Sequence, residues 1–133
     1  MGQAEGIVET YLKKECEKQN FTCYKFTSPG TTGVPDRIVI GNGQTIFVET
    51  KSSTGRLEDK QIEEINRMRQ NGAIVYVAAS RKKIDTIIQN IISGKHPAET
   101  REKLTQIKVK TQKKPNKRIK EMPKLNTTKS AFK

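Results

Sequence analysis

Residues 33–51 read GVPDRIVIGNGQTIFVETK, and the chain is best understood outward from them. Two runs of β-branched and aromatic residues, 37–40 and 45–51, flank Gly41-Asn42-Gly43. An Asn-Gly turn between such runs is the sequence signature of a hairpin. In the second run Glu49 and Lys51 stand two apart, so they project from the same face of the strand. Pairing about the 41–44 turn puts Asp36 opposite residues 48 to 50, and a slip of one residue would send every side chain to the other face. Two carboxylates and an ammonium therefore converge at one end of a sheet, where a sequence concerned only with building a core would not put them.

Upstream, residues 4–19 have helical periodicity, with Ala4, Ile7, Val8, Tyr11 and Leu12 as the apolar stripe. Glu5 borders that stripe, Glu9 lies one step nearer solvent, and Glu15 falls inside it by angle. Residues 21–26 alternate as a strand, and residues 28–35 (SPGTTGVP) form a loop. Downstream, a helix is predicted over 57–71, with Glu58 and Asp59 suiting the positive end of its dipole and Gly72 ending it. The unbroken apolar run 73–79 (AIVYVAA) fits a strand buried on both faces. A last helix runs over 82–92 through Ile84, Ile87, Ile88 and Ile91. The order α-β-β-β-α-β-α predicts an α/β fold, a mixed sheet of about four strands flanked by helices.

The chain has 133 residues, room for one domain, with 32% hydrophobic and 30% charged residues. Its net charge of +12 is divided unevenly. Through Gly94 there are 13 Lys/Arg against 11 Asp/Glu, and from Lys95 onward 13 against 3. Two parts are expected: a folded domain over 1–94, and a basic, extended or partly disordered C-terminal extension over 95–133. Within the extension, residues 105–109 could pair as an edge strand. A block this basic suits a polyanion such as nucleic acid. No run approaches the roughly 18 apolar residues of a membrane span, and the N-terminus lacks the order of a signal peptide. No membrane partner is expected. Cys16 and Cys23 form no CxxC pair and His96 is the only histidine, which argues against structural zinc and for reduced cysteines packed as small hydrophobes. The pattern GxxxxGK[ST] is absent, so no nucleotide cofactor is expected.

The Asp36, Glu49, Lys51 cluster has a specific chemical use. Two carboxylates, the backbone carbonyl of Thr50 and several waters would complete the octahedral shell of Mg²⁺ or Mn²⁺. Such an ion acidifies a water and offsets charge on a phosphate. Lys51 would hold that water or stabilise the extra negative charge of five-coordinate phosphorus. An isolated Glu-x-Lys would instead be read as an exposed strand-end salt bridge, worth ~0–1 kcal/mol.

Here it is not isolated. A glutamate on the leading helix, Gly-x-Pro-Asp at 33–36, Glu-x-Lys at 49–51 and a glutamine at 61 follow one another in the order of the PD-(D/E)XK nucleases. More closely, the run KFTSPGTTGVPDRIVIGNGQTIFVETKSSTGRLEDKQ resembles the virus-type replication-repair nuclease (VRR-Nuc) family. The resemblance covers about residues 4–80 and leaves the basic extension outside. It implies a restriction-endonuclease-like core, Asp36 and Glu49 as metal ligands and Lys51 as the catalytic lysine. Glu5, in preference to Glu9, matches the family's helix glutamate as a water-mediated or second-metal ligand. Gln61 matches the family's glutamine, and it shares a helix face with Leu57 and Ile65, so it should point inward. The resemblance further implies a homodimer acting on branched DNA, especially four-way (Holliday) junctions. It also implies a phage or prophage source and a place in the bacterial cytoplasm. A metal-dependent, structure-selective DNA endonuclease is therefore expected. The alternatives are a sequence-specific or nicking nuclease of the same fold and a non-catalytic basic DNA-binding protein.

Overall fold

A computed structural model describes residues 4–105. The elements are α1 (Glu5–Lys18), β1 (Thr22–Lys25), β2 (Arg37–Gly41), β3 (Gln44–Thr50), α2 (Asp59–Gln70), β4 (Val75–Ala78), α3 (Arg81–Ser93) and a short 3₁₀ turn, Ala98–Thr100. Each predicted helix and strand within residues 4–92 is present, with ends moved by one or two residues. The expected edge strand over 105–109 runs outside the described residues.

The sheet order is β1-β2-β3-β4. β1–β2 and β2–β3 pair antiparallel and β3–β4 parallel, so the sheet is mixed as expected. The hairpin register runs from Gly41↔Gln44 to Arg37↔Val48. Its tight turn needs two residues in the left-handed region, which Asn42 (φ 50°) and Gly43 (φ 77°) supply. The same turn anchors the end of α3: Asn42 Nδ2 donates to the carbonyls of Ile91 (2.8 Å) and Ile92 (3.2 Å), and Gln44 Nε2 donates to Ile91 (2.8 Å).

One sheet face, carrying Val39, Ile46, Val48, Tyr76 and Ala78, packs against α1 and α3 to form the main core. From α3 it takes Ile84, Ile87, Ile88 and Ile91. Burying each such side chain stabilises the fold by about 1.5–3 kcal/mol. From α1 it takes Val8, Leu12 and Cys16, a single i, i+4 ridge. The broader stripe expected from the sequence is therefore corrected, because Ala4 is exposed and Ile7 is 49% exposed. A helix laid beside α3 on a small sheet can bury one ridge, and Ile7 falls to its outer side. On the opposite sheet face α2 packs beside β4 with Ile62 and Ile65 buried.

The packed body continues past Gly94. His96 Nδ1 lies 2.6 Å from the Tyr76 hydroxyl, and its Nε2 meets the Gln44 side-chain oxygen. Thr100 is buried. Arg69 Nη1 donates to the Glu102 carbonyl (2.9 Å), and Leu104 N–H donates to Asn66 Oδ1 (2.7 Å). Residues beyond Gly94, as far as Leu104, are thus bound to the same body as the sheet and helices. These residues are held by scattered polar contacts and the burial of one threonine, which leave no hydrophobic period to read.

Candidate active site

The site lies at the end of the β2–β3 hairpin, where the 28–35 loop meets the start of α2. Gly33 explains this meeting. Its φ is +93°, and a Cβ there would collide with the Lys60 carbonyl. Only glycine lets the loop lie directly on the first turn of α2. The next turn of chain delivers Asp36, whose backbone carbonyl accepts from Phe26 N–H (2.7 Å), continuing the β1–β2 ladder. One step past Arg37↔Val48, Asp36 faces Glu49, as the hairpin reading predicted. Its carboxylate is aimed by Thr50, whose N–H (2.8 Å) and hydroxyl (2.5 Å) both donate to Oδ2. Sequence reasoning placed Thr50 here only for its carbonyl and missed these two donors.

Glu49 is 1% exposed. Its Oε2 accepts from Gln61 Nε2 at 2.9 Å and lies 3.5 Å from Lys51 Nζ. The inward direction predicted for Gln61 is therefore seen, with a cause the sequence did not show. The Glu58 N–H donates to Gln61 Oε1 (2.9 Å), and that bond turns the amide so that its NH₂ is offered to Glu49. The other oxygen, Glu49 Oε1, is buried with no hydrogen-bond partner. Burial, then repulsion from Asp36, push the Glu49 carboxyl up to about 7, against the lowering pull of Lys51, and the Glu5 charge pushes the same way.

Glu9, the competing helix glutamate, is engaged elsewhere. Its Oε2 pairs with Arg37 Nε (2.9 Å) and Lys25 Nζ (3.1 Å). Burial alone would raise its carboxyl, but the two cations hold it below its ordinary value. Arg37, one residue past Asp36, points to the opposite face, as expected of alternation along a strand. Glu5 stands exposed at the start of α1, and its charge reaches Glu49. Among the described residues no three His, Cys, Asp or Glu side chains gather closely enough to hold a metal ion. The three-carboxylate set is thus not closed by direct approach: Asp36 and Glu49 meet, and Glu5 stands off.

The donor set nevertheless fits a hard divalent cation. A buried carboxylate oxygen without a partner costs on the order of 1–3 kcal/mol or more, and here it sits beside a second carboxylate that repels it. A cation on that oxygen would relieve both penalties at once. The oxygen chemistry is that of Mg²⁺ or Mn²⁺ rather than of zinc.

Comparison with known proteins identifies the domain. The family model of the VRR-NUC domain matches residues 3–82. A protein named "Putative nuclease p44", from Acyrthosiphon pisum secondary endosymbiont phage 1, is 40% identical over 78 residues, covering 58% of this chain and 84% of its own. A solved VRR-NUC domain structure, 33% identical, superposes with a TM-score of 0.59, covering 64% of this chain and 94% of its own. The match spans α1 through the start of α3, and so takes in Glu5, Asp36, Glu49, Lys51 and Gln61. With the mixed four-stranded sheet and the Asp36–Glu49–Lys51 cluster at the hairpin end, it establishes that the chain belongs to the VRR-NUC family of nuclease domains.

Proposed function

We propose that this chain is a Mg²⁺- or Mn²⁺-dependent, structure-selective DNA endonuclease, working as a homodimer on four-way junctions in the cytoplasm of a bacterial host. The observation that carries the reading is Glu49: a buried carboxylate with one oxygen free, set beside Asp36 and 3.5 Å from Lys51. Asp36, Glu49 and the Thr50 carbonyl would hold the cation, with Glu5 joining through water. The bound ion supplies Lewis acidity, lowering the pKa of a water and offsetting charge on the phosphodiester.

The chain's own residues do the rest. Thr50 fixes the rotamer of Asp36 through two donors to one oxygen, which leaves the other oxygen free to face the cation. Gln61 fixes Glu49 in the same way, so neither carboxylate must reorganise as charge builds. Lys51, held against Glu49, orients the attacking water for in-line displacement or stabilises the charge on the five-coordinate phosphorus. The 5′-phosphate is left on the product. Two such sites related by a two-fold axis would cut a pair of strands in a symmetric junction. A phage protein among the relatives is in keeping with the proposed host. The basic C-terminal segment supplies phosphate contacts that read strand density rather than base sequence.

The test is incubation of the purified protein with a labelled four-way junction and a duplex of matched sequence, in Mg²⁺, Mn²⁺ or EDTA, beside Asp36→Ala. Paired cuts on the junction that need metal and vanish in the variant are expected. Cutting of the linear duplex at one sequence would replace junction selectivity with a restriction-type activity. Binding without cleavage under every condition would leave a DNA-binding protein on a nuclease fold.

A further inference from the structure

Away from the hairpin end, the sequence's two cysteines are both free and have been brought together. Cys16 lies in the last turns of α1, and Cys23 is the second residue of β1. The chain reverses between them through Asn20, at φ 64°, with Phe21 N–H donating to the Cys16 carbonyl (2.9 Å). Cys23 pairs with Val39, a residue of the core face, so its side chain points at α1. Both side chains thus enter the seam between α1 and β1, where Cys16 belongs to the core cluster, Cys23 packs against that cluster, and each thiol acts on the other.

Their surroundings are unequal. Cys16 is wholly buried in the core, whereas Cys23 is partly exposed. Arg37 stands two residues from Val39 on the same face of β2, its positive charge acts on Cys23, and Glu9 pins that guanidinium at 2.9 Å. The positive charge of Lys13 acts on Cys23 as well. The Cys16 thiol, assisted by Arg37, holds Cys23 below the ordinary thiol range, while the Cys23 thiol and burial push Cys16 above it. A partly exposed cysteine beside a guanidinium, facing a buried cysteine across a helix–strand seam, is the arrangement of an attacking and a resolving cysteine.

We propose that Cys16 and Cys23 form a redox site that reacts with hydroperoxides, closing to an intramolecular disulfide that a thiol reductant reopens. The Cys23 thiolate attacks one peroxide oxygen. An S–O bond forms, the O–O bond breaks, hydroxide leaves, and Cys23 becomes a sulfenic acid. The Cys16 sulfur then displaces that oxygen as hydroxide, which takes the Cys16 proton and departs as water, while the S–S bond forms. The sum is two thiols and one peroxide giving one disulfide and two waters: the sulfurs lose two electrons and the peroxide gains them. None of the residues placed at the cleavage site takes part.

The experiment treats the full-length reduced protein with hydrogen peroxide, quenches it, counts free thiols and measures the intact mass. The expected result is loss of both thiols, a mass lower by two hydrogen atoms and recovery of both with dithiothreitol. Cys16→Ser should stop at a Cys23 sulfenic acid that dimedone labels. Cys23→Ser should leave Cys16 unreacted in the folded protein. Two surviving thiols in the wild type, disulfides between chains, or oxidation to sulfinic acid without joining would each overturn the proposal. So would a reactive Cys16 in Cys23→Ser. The wild-type thiol count and mass decide the matter even if a serine variant fails to fold.

Discussion

Glu49 keeps a carboxylate where water cannot reach it, and the consequence is measurable without any substrate. Its carboxyl titrates at about 7 in the folded chain, against an ordinary value of 4.5. Below 4.5 both folded and unfolded forms hold the proton and nothing is lost. Between 4.5 and about 7 the unfolded chain ionises while the folded one keeps its proton, so stability falls as pH rises. The whole effect is about 3 kcal/mol. Urea denaturation of the EDTA-treated protein should therefore show Glu49→Gln removing this decline and exceeding the wild type above neutral pH; an unchanged slope would refute the burial argument. Lys51→Ala should lower cleavage at least about 10²-fold, the scale of losing one charge stabiliser, while gel-shift binding of a junction changes little. Retained cleavage would remove Lys51 from the chemistry. Much of this cluster was legible from residue spacing alone, because Asp36, Glu49 and Lys51 are fixed by a period of two and a short turn. The Thr50 hydroxyl and the Glu58 N–H were not legible. They act by orienting a neighbour, and a threonine or a backbone amide carries no sign of what it will face.

At the scale of elements, the strands and helices follow from their periodicities, and the errors fall where packing overrides them. Ile7 reads as core, yet the ridge of Val8, Leu12 and Cys16 is all that the sheet accepts from α1. Leu57 reads as helical, but the chain turns first at Glu58, where the Gln61 side chain takes the Glu58 N–H and so starts the helix there. The glycine of Gly-x-Pro-Asp shows its purpose only in three dimensions, as the point where the 28–35 loop touches α2. Gly33→Ala must adopt a φ of +93° and push against the Lys60 carbonyl. Backbone strain of this kind costs about 1–3 kcal/mol. Because the loop carries Asp36, cleavage should fall further than the loss of folded protein accounts for. The check is activity per folded molecule, taken from denaturation and cutting assays on the same sample. A variant as active and as stable as the wild type would show that the close approach is not required.

For the whole molecule, charge and packing part company at a place the composition does not mark. The basic excess begins at Lys95, but His96, Thr100, Glu102 and Leu104 are bound to the body. Two truncations separate the roles. Ending the chain after Thr105 removes 10 Lys/Arg and 1 Asp/Glu and leaves every one of those anchors in place. The unfolding midpoint should hold, while junction binding weakens and its dependence on salt flattens by roughly 0.9 in log–log slope for each duplex phosphate no longer neutralised. An unchanged slope would mean that the segment is not the DNA-facing element. Ending after Gly94 removes the anchors as well. The buried Arg69, whose Nε already lacks a partner, would lose the Glu102 carbonyl too, and a buried donor left unmet costs about 1–3 kcal/mol or more when charged. Tyr76 and Gln44 would lose His96 in the same cut. The shorter protein should therefore unfold at clearly lower urea than the one ending at Thr105. Equal midpoints would show that the turn at Ala98–Thr100 rests on the domain without supporting it.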